Sequence, residues 1–224
     1  MKLSIIIPTL NEAEGLPQLL ADLYPLCGDD TEIVIADGGS HDGTPALARR
    51  AGLPCVEAPR GRARQMNAGA ALASGELLLF LHADTRLPPG ARAAMHAAIQ
   101  SGAQWGRFDV RIAGQPFMLK IIGRMINLRS RLSGIATGDQ AIFITRTCFN
   151  AIGGFPDQPL MEDIELSARL LRAGCRPACL RQHVLTSGRR WESRGVWRTI
   201  LLMWQLRWAY WRGVPASQLA ARYR

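Results

Sequence analysis

The carboxylate best placed to do chemistry is Asp84, in His82-Ala83-Asp84-Thr85 directly after the unbroken apolar run Leu77–Leu81. Five consecutive apolar residues predict a strand buried on both faces, as in the middle of a parallel sheet. A carboxylate just past such a strand emerges at the carboxyl edge, where open α/β sheets bind ligands. Two more polar clusters follow apolar runs, Pro8-Thr9-Leu10-Asn11-Glu12 and Asp37-Gly38-Gly39-Ser40. Each cluster alone reads equally as a strand-to-helix turn with a capping residue. Three of them converging on one edge favour a ligand site, and the glycines of Gly38-Gly39 would let a ligand approach the backbone closely.

A fourth cluster, Met161-Glu162-Asp163-Ile164-Glu165-Leu166, places three acids in four positions at the start of a predicted helix. Negative charge there suits the helix dipole, and one carboxylate could equally serve as general base toward a hydroxyl. Arg60, Arg62 and Arg64 fall in a loop before the predicted Gln65–Ser74 helix. They read either as a solvated basic loop or as a site for an anion such as a diphosphate. Two familiar phosphate sites are excluded. No Gly-x-Gly-x-x-Gly follows the first strand, and no Gly-x-x-x-x-Gly-Lys-Ser/Thr occurs. The Gly-rich loop with Arg and Lys of a nucleotidylyltransferase is missing too.

The elements that must position these groups alternate regularly over the first hundred residues. Strands are predicted at Leu3–Ile7, Glu32–Ala36, Pro54–Glu57 and Leu77–Leu81. Between them come a helix carrying Leu16, Leu19, Leu20 and Leu23, one capped by Thr44 with Pro45 at its first position, and Gln65–Ser74. This rhythm predicts an α/β protein with a mostly parallel, doubly wound sheet and flanking helices. Further on, the pattern predicts helices at Pro89–Gln100, 116–132 and Glu162–Ala173. It also predicts an alternating strand at Trp105–Ile112 and a strand at Ile142–Thr145.

Composition narrows the class. With 224 residues, 48% hydrophobic and 20% charged, the chain can bury a sizeable core. Its net charge of +9 is concentrated: residues 181–224 carry nine Arg against Glu192 alone. The five cysteines have no zinc-type spacing and read as reduced thiols. Lys2 precedes an apolar stretch of only five residues before Pro8, so no signal peptide is expected, and no run nears the ~20 apolar residues of a membrane span. A cytoplasmic protein, or one peripheral at the inner face of the cytoplasmic membrane, is expected.

Taken together these motifs resemble family 2 glycosyltransferases. The resemblance is carried by Ser4-Ile5-Ile6-Ile7-Pro8-Thr9-Leu10-Asn11-Glu12, by Asp37-Gly38-Gly39-Ser40-His41-Asp42-Gly43-Thr44 and by Arg64…Asn67-Ala68-Gly69…Ala73-Ser74-Gly75. His82-Ala83-Asp84 occupies the place of the family's Asp-x-Asp, and Gly153-Gly154-Phe155 followed by Glu162-Asp163 matches its acceptor-side signature. Within the family the chain is most similar to compact bacterial members associated with radical-SAM and selenium-domain proteins, some assigned to arsenosugar biosynthesis. The resemblance implies a GT-A fold in residues 1–190, a nucleotide-diphosphate sugar donor, a divalent cation (Mg²⁺ or Mn²⁺) and inversion at the anomeric carbon.

It also implies roles. Pro8, Thr9, Glu12 and Asp37 would hold base and ribose, and Asp84 would bind the metal bridging the diphosphate. Arg62 and Arg64, with Arg189 and Arg190 of an Arg-Trp element, would lie near the diphosphate. Asp163 would deprotonate an acceptor hydroxyl beside Glu162, and Asp139 would help bind the acceptor. His82 departs from the pattern, because an imidazole replaces the first carboxylate, toward ribose or metal. His183 is a further candidate ligand. The acceptor is a small molecule or a lipid-linked one.

Residues 191–224 form a basic, Trp-rich extension. On a helix over 196–212, Trp197, Trp204, Trp208 and Trp211 fall in a sector of about 60°, with Arg198, Gln205 and Arg212 beside them. Such an amphipathic helix suits a membrane interface, a homodimer, or packing on the catalytic domain. Nucleic acid is not expected, since no recognition motif accompanies the arginines. The competing function is a non-catalytic, membrane-associated sugar-nucleotide-binding module in which His82 marks lost metal chemistry.

Overall fold

The computed structural model describes residues 1–223; the side chain of Arg190 lies outside the described residues. Eight strands form one curled sheet in the order β3-β2-β1-β4-β7-β6-β8-β5. The N-terminal half supplies β1 (Leu3–Thr9), α1 (Leu16–Leu23), β2 (Thr31–Asp37), α2 (Thr44–Arg50), β3 (Cys55–Glu57), α3 (Arg62–Leu72) and β4 (Leu77–Phe80). β5 (Thr85–Arg86), α4 (Ala91–Gln100), β6 (Trp105–Ile112) and α5 (Met118–Ser133) follow. Then come β7 (Ile142–Thr145), α6 (Arg146–Ala151), α7 (Glu162–Arg172) and β8 (Ala178–Thr186). α8 (Arg189–Arg194), α9 (Val196–Trp211) and α10 (Ala216–Tyr223) complete the described chain.

β3, β2, β1 and β4 run parallel, as the alternating pattern predicts, and β6 pairs parallel with β8. β7 is antiparallel to both β4 and β6, and β5 to β8. The parallel half matters for function, because it aligns the carboxyl ends of β1, β2 and β4 along one edge. Its strands bury Ile5, Ile7, Ile33, Ile35, Leu77 and Leu79 against α1 on one face. Ile6, Val34, Leu78 and Phe80 pack against α3 on the other. At roughly 1.5–3 kcal/mol per buried large aliphatic side chain, these two layers are the main source of stability.

β6 differs from its predicted alternation: all of its residues except Arg111 are buried. Arg107 and Asp109 are the reason, since their buried side chains neutralise one another. Arg107 Nε also donates to Ser130 Oγ at 3.0 Å, and Arg131 Nη2 to the Asp109 carboxylate at 2.7 Å. α2 begins one residue from expectation. Gly43, at φ 88°, is its cap, and the Thr44 hydroxyl instead accepts from Glu12 N at 2.9 Å, tying two loops of the carboxyl edge together.

The tail packs in two places by residues other than the tryptophans of α9. Leu206 and Leu219 join Leu160 and Met161 in a small cluster, while Val196 and Ile200 lie on Leu119 and Ile122 of α5. Trp197, Trp204, Trp208 and Trp211 stay 61–80% exposed, so the ridge does not pack on the catalytic domain. Among the described residues no helix is long and apolar enough to cross a membrane.

Candidate active site

The three clusters after β1, β2 and β4 meet at the carboxyl edge. Thr9 and Asp37, ending β1 and β2, are buried and bonded to each other at 3.0 Å. Asp37 also accepts from Gly39 N, Ser40 N and the Ser40 hydroxyl. Burial alone would raise its pKa, but these four bonds hold its carboxyl below the ordinary range. Asp37 therefore shapes the loop, and its Oδ atoms are turned inward. Gln65, which sequence reasoning passed over, fastens both strand ends from below by donating to Thr9 O (2.7 Å) and Ala36 O (3.0 Å). Asn11, at φ 55°, accepts from His41 N and holds the outer rim.

A cleft of about 500 Å³ opens beside these loops, lined by Asn11, Glu12, Asp84, Thr186, Ser187 and Arg189 among others. Glu12 is raised above the ordinary carboxylate range, first by burial and then by the charge of Asp84, with Arg189 partly offsetting both. Asp84 is exposed, and among the described residues its carboxylate accepts only a long 3.4 Å bond from Thr85. The described residues contain no group of three or more His, Cys, Asp or Glu able to hold a metal by themselves. One open carboxylate fits a hard cation shared with diphosphate oxygens, the usual arrangement for Mg²⁺, rather than an all-protein cage. His183 does not join it; it pairs with Asp109 across the β6–β8 ladder, near Arg111 and Arg131.

On the other side of the edge stand the groups expected to face the acceptor. Asp163, in the first turn of α7, accepts from Gly138 N at 2.7 Å and from Ile164 N at 2.8 Å, leaving a lone pair on each oxygen. The His82 ring lies against Gly138, and its Nδ1 is 3.4 Å from the Asp139 carboxylate. A Cβ on Gly138 would sit 2.5 Å from His82 Cε1 and Nε2, so only glycine admits the ring there. Glu162 is buried and pairs with Arg62 at 3.0 Å; burial, and then Asp163, raise its pKa despite that partner. Burial alone would lower the Arg62 guanidinium. The carboxylates of Glu162, Asp163, Asp139 and Asp84 together raise it, which puts one cation among both carboxylate sets.

Not every expected residue converges. Arg64 turns to Asp157, 2.7 Å away on the surface. Arg189, by contrast, lines the cleft with Glu12 and Asp84 and bonds Ser187. Asn67, one of the motif residues, serves packing, and its side chain exchanges two hydrogen bonds with the Phe155 backbone at 2.8 and 2.9 Å. That clamp fixes Gly153-Gly154-Phe155 ahead of α7. Sequence reasoning also missed Arg129 of α5 and Arg207 of α9, whose charges both reach Asp163. The three non-glycine residues with positive φ, Asn11, Ala141 and Met161, all lie in loops of this site, where strained backbone tends to collect.

Known proteins share this fold. The family model described as Glycosyl transferase family 2 matches residues 4–151. Over 99 residues the chain is 33% identical to undecaprenyl-phosphate 4-deoxy-4-formamido-L-arabinose transferase of Aeromonas hydrophila, covering 38% of this chain and 30% of that protein. It is 41% identical over 92 residues to a PGL/p-HBAD biosynthesis glycosyltransferase of Mycobacterium bovis, covering 38% and 36%. The match thus spans about a third of the length of these curated relatives.

S. aureus TarS in complex with UDP-GlcNAc superposes with a TM-score of 0.65 at 20% identity, over 84% of this chain and 58% of that one. Glucosyl-3-phosphoglycerate synthase of Mycobacterium tuberculosis, in complex with Mn²⁺, UDP and glucosyl-3-phosphoglycerate, gives 0.60 at 18%, over 81% and 70%. These likenesses establish the GT-A fold. With the family match across most of the sheet, they lead to one conclusion: the chain belongs to the family 2 glycosyltransferases.

Proposed function

We propose that this enzyme transfers a sugar from a nucleotide diphosphate to an acceptor hydroxyl with inversion, in one in-line displacement assisted by a divalent cation. The observation that carries this reading is the pairing of Arg62 with Glu162 at 3.0 Å, next to Asp163, with Asp84 of the cleft among the carboxylates that raise its guanidinium. Donor and acceptor groups therefore border one reaction space.

Pro8, Thr9 and Asp37 shape the wall against which base and ribose rest, with Glu12 on its rim. Asp84, its lone pairs open, would hold Mg²⁺ or Mn²⁺ against the diphosphate. Such an ion neutralises charge on the departing nucleoside diphosphate. Arg62 and Arg189 add fixed positive charge, and Arg190 is assigned to the same anion from the family pattern, while Arg64, paired with Asp157, is not. Asp163 takes the acceptor's proton as the oxygen attacks. The Gly138 N–H holds its carboxylate in place, so little reorganisation is needed. Glu162, clamped to Arg62, positions that helix start, while His82 and Asp139 border the acceptor.

A thermal-shift screen of nucleotides and nucleotide sugars with and without Mn²⁺ tests the donor half, since a ligand of the folded state raises the melting temperature. Incubation with the donor so identified, followed by NMR of the product's anomeric proton, tests inversion. Retained configuration, or donor binding with neither transfer nor donor hydrolysis, refutes the proposal.

A further inference from the structure

Met161 starts α7 from a left-handed conformation, φ 64° and ψ 21°, and no side chain caps the helix there. Its carbonyl oxygen accepts from Glu165 N at 3.0 Å, so the turn that carries Glu162 and Asp163 is built directly on this residue. Glycine adopts such angles freely. A side chain as long as methionine keeps them only where its surroundings impose them. Asn67 clamps the chain at Phe155, but Pro156 to Leu160 intervene before Met161, so that clamp does not fix its φ.

The constraint comes from the tail. Leu160 and Met161 are buried in one cluster with Leu206 of α9 and Leu219 of α10, and Ile164 packs against the same cluster. Ile164 N donates to the Asp163 carboxylate at 2.8 Å, so the cluster reaches the residue whose N–H holds that carboxylate. One turn beyond Leu206, the Tyr210 hydroxyl accepts from Gln158 Nε2 at 3.2 Å and donates to Glu165 at 3.4 Å. It thereby bridges the loop ahead of Met161 to the first turn after it. Arg194 Nη1 donates to Tyr223 O at 3.0 Å and ties the end of α10 back to α8.

We infer, resting on the transferase reading of Asp163, that Met161 is a positioning residue and that Leu206 and Leu219 of the tail hold it in the conformation that aims Asp163. The two leucines pin the Met161 side chain. Met161, kept from relaxing to negative φ, starts α7 at one place. α7 then presents Asp163 where Gly138 N meets its Oδ2 at 2.7 Å. The tail contributes to the reaction in this way without touching substrate. A packing role alone predicts lost stability when the leucines are cut back. The positioning role predicts in addition a displaced Asp163, which glycine at position 161 repairs.

The test follows the Gly138 amide proton by NMR in the intact protein, because its bond to the Asp163 carboxylate shifts it downfield and slows its exchange with water. Leu206→Ala and Leu219→Ala, made separately, are expected to move the signal upfield and speed its exchange. Turnover of the nucleotide sugar identified by the thermal-shift screen should fall about tenfold in each, with donor affinity unchanged. Tyr210→Phe, which removes only a hydroxyl, should move the signal the same way by less. Met95→Ala, in the main core, should lower the melting temperature and leave signal and turnover where they are. Adding Met161→Gly to Leu206→Ala is expected to restore signal and turnover without restoring the melting temperature, since glycine keeps a positive φ unaided. A Gly138 signal unmoved in both leucine variants, or moved and not restored by glycine, overturns the inference. A signal that moves and is restored while turnover stays constant supports the hold on Asp163 and refutes Asp163 as base, so the two readings fail separately.

Discussion

Replacing Arg129 with Met should make the protein more stable. Burial lowers the guanidinium from its ordinary value to about 10 at this site, and at ~1.4 kcal/mol per tenfold change in proton affinity the upper bound is roughly 3 kcal/mol at pH 7. The side chain is partly exposed, and solvent screening reduces the expected gain to about 1–2 kcal/mol. For a chain of this size that is a rise of ~2–8 °C in melting temperature. Met nearly conserves the volume, so no large cavity offsets the gain. The sign follows from the direction of the shift. A base whose folded pKa is depressed costs stability while charged, below about 10, and the cost fades as pH climbs from there toward the ordinary guanidinium value. Calorimetry at pH 7 and at pH 10.5 should therefore show the variant's advantage shrinking at the higher pH. A variant that melts lower than wild type at pH 7 would refute the reasoning, because it would mean that Arg129 has a stabilising partner.

Four other outcomes are expected. Asp163→Asn should lower turnover by about 10²–10⁴-fold with donor affinity unchanged, measured by steady-state kinetics and nucleotide titration. Asp84→Ala should instead weaken the nucleotide's Mn²⁺-dependent thermal shift, and an undiminished shift would remove Asp84 from the metal site. Gly138→Ala pushes a methyl to 2.5 Å from the His82 ring; the displaced ring should cost about 1–3 kcal/mol and at least tenfold in turnover, read by denaturant melts and initial rates. Glu32 is lowered to about 2: burial would raise it, but bonds from Ser4, Ser74 and Lys2 outweigh that. The stability they confer is present above 4.5 and lost as pH falls toward 2, so Glu32→Gln should flatten the acid-unfolding curve across that window.

The half assigned to the donor was legible in the sequence because its elements are local and regular. β1, β2 and β4 announce themselves as apolar runs, and each ends in the polar residues that reach the edge. The acceptor half was less so. β8, with Arg181, Gln182 and His183 in its middle, lacks an apolar run, and its register comes from pairing with β6 across a bulge between Phe108 and Asp109. α6 is too short, at six residues, to show a helical period. The acids of α7 were readable as residue types, but their link to Gly138 spans 25 positions of chain. Arg129 and Arg207 were hidden for the same reason. Each looks like an ordinary charge on an amphipathic helix until α5 and α9 are laid together.

The arrangement of the edge also sets an order in time. Chains emerge from the ribosome amino end first, and their parts fold as they appear. β1, β2, β4 and the loops that carry Thr9, Asp37 and Asp84 are all made within the first 84 residues. Asp163 follows about eighty residues later, and Arg207 later still, on α9. At the ~5–20 residues per second of synthesis, the loops after β1, β2 and β4 exist for several seconds before Asp163 is made. Under the proposed assignment, a chain still lacking α7 holds its donor-side loops without the carboxylate assigned as base.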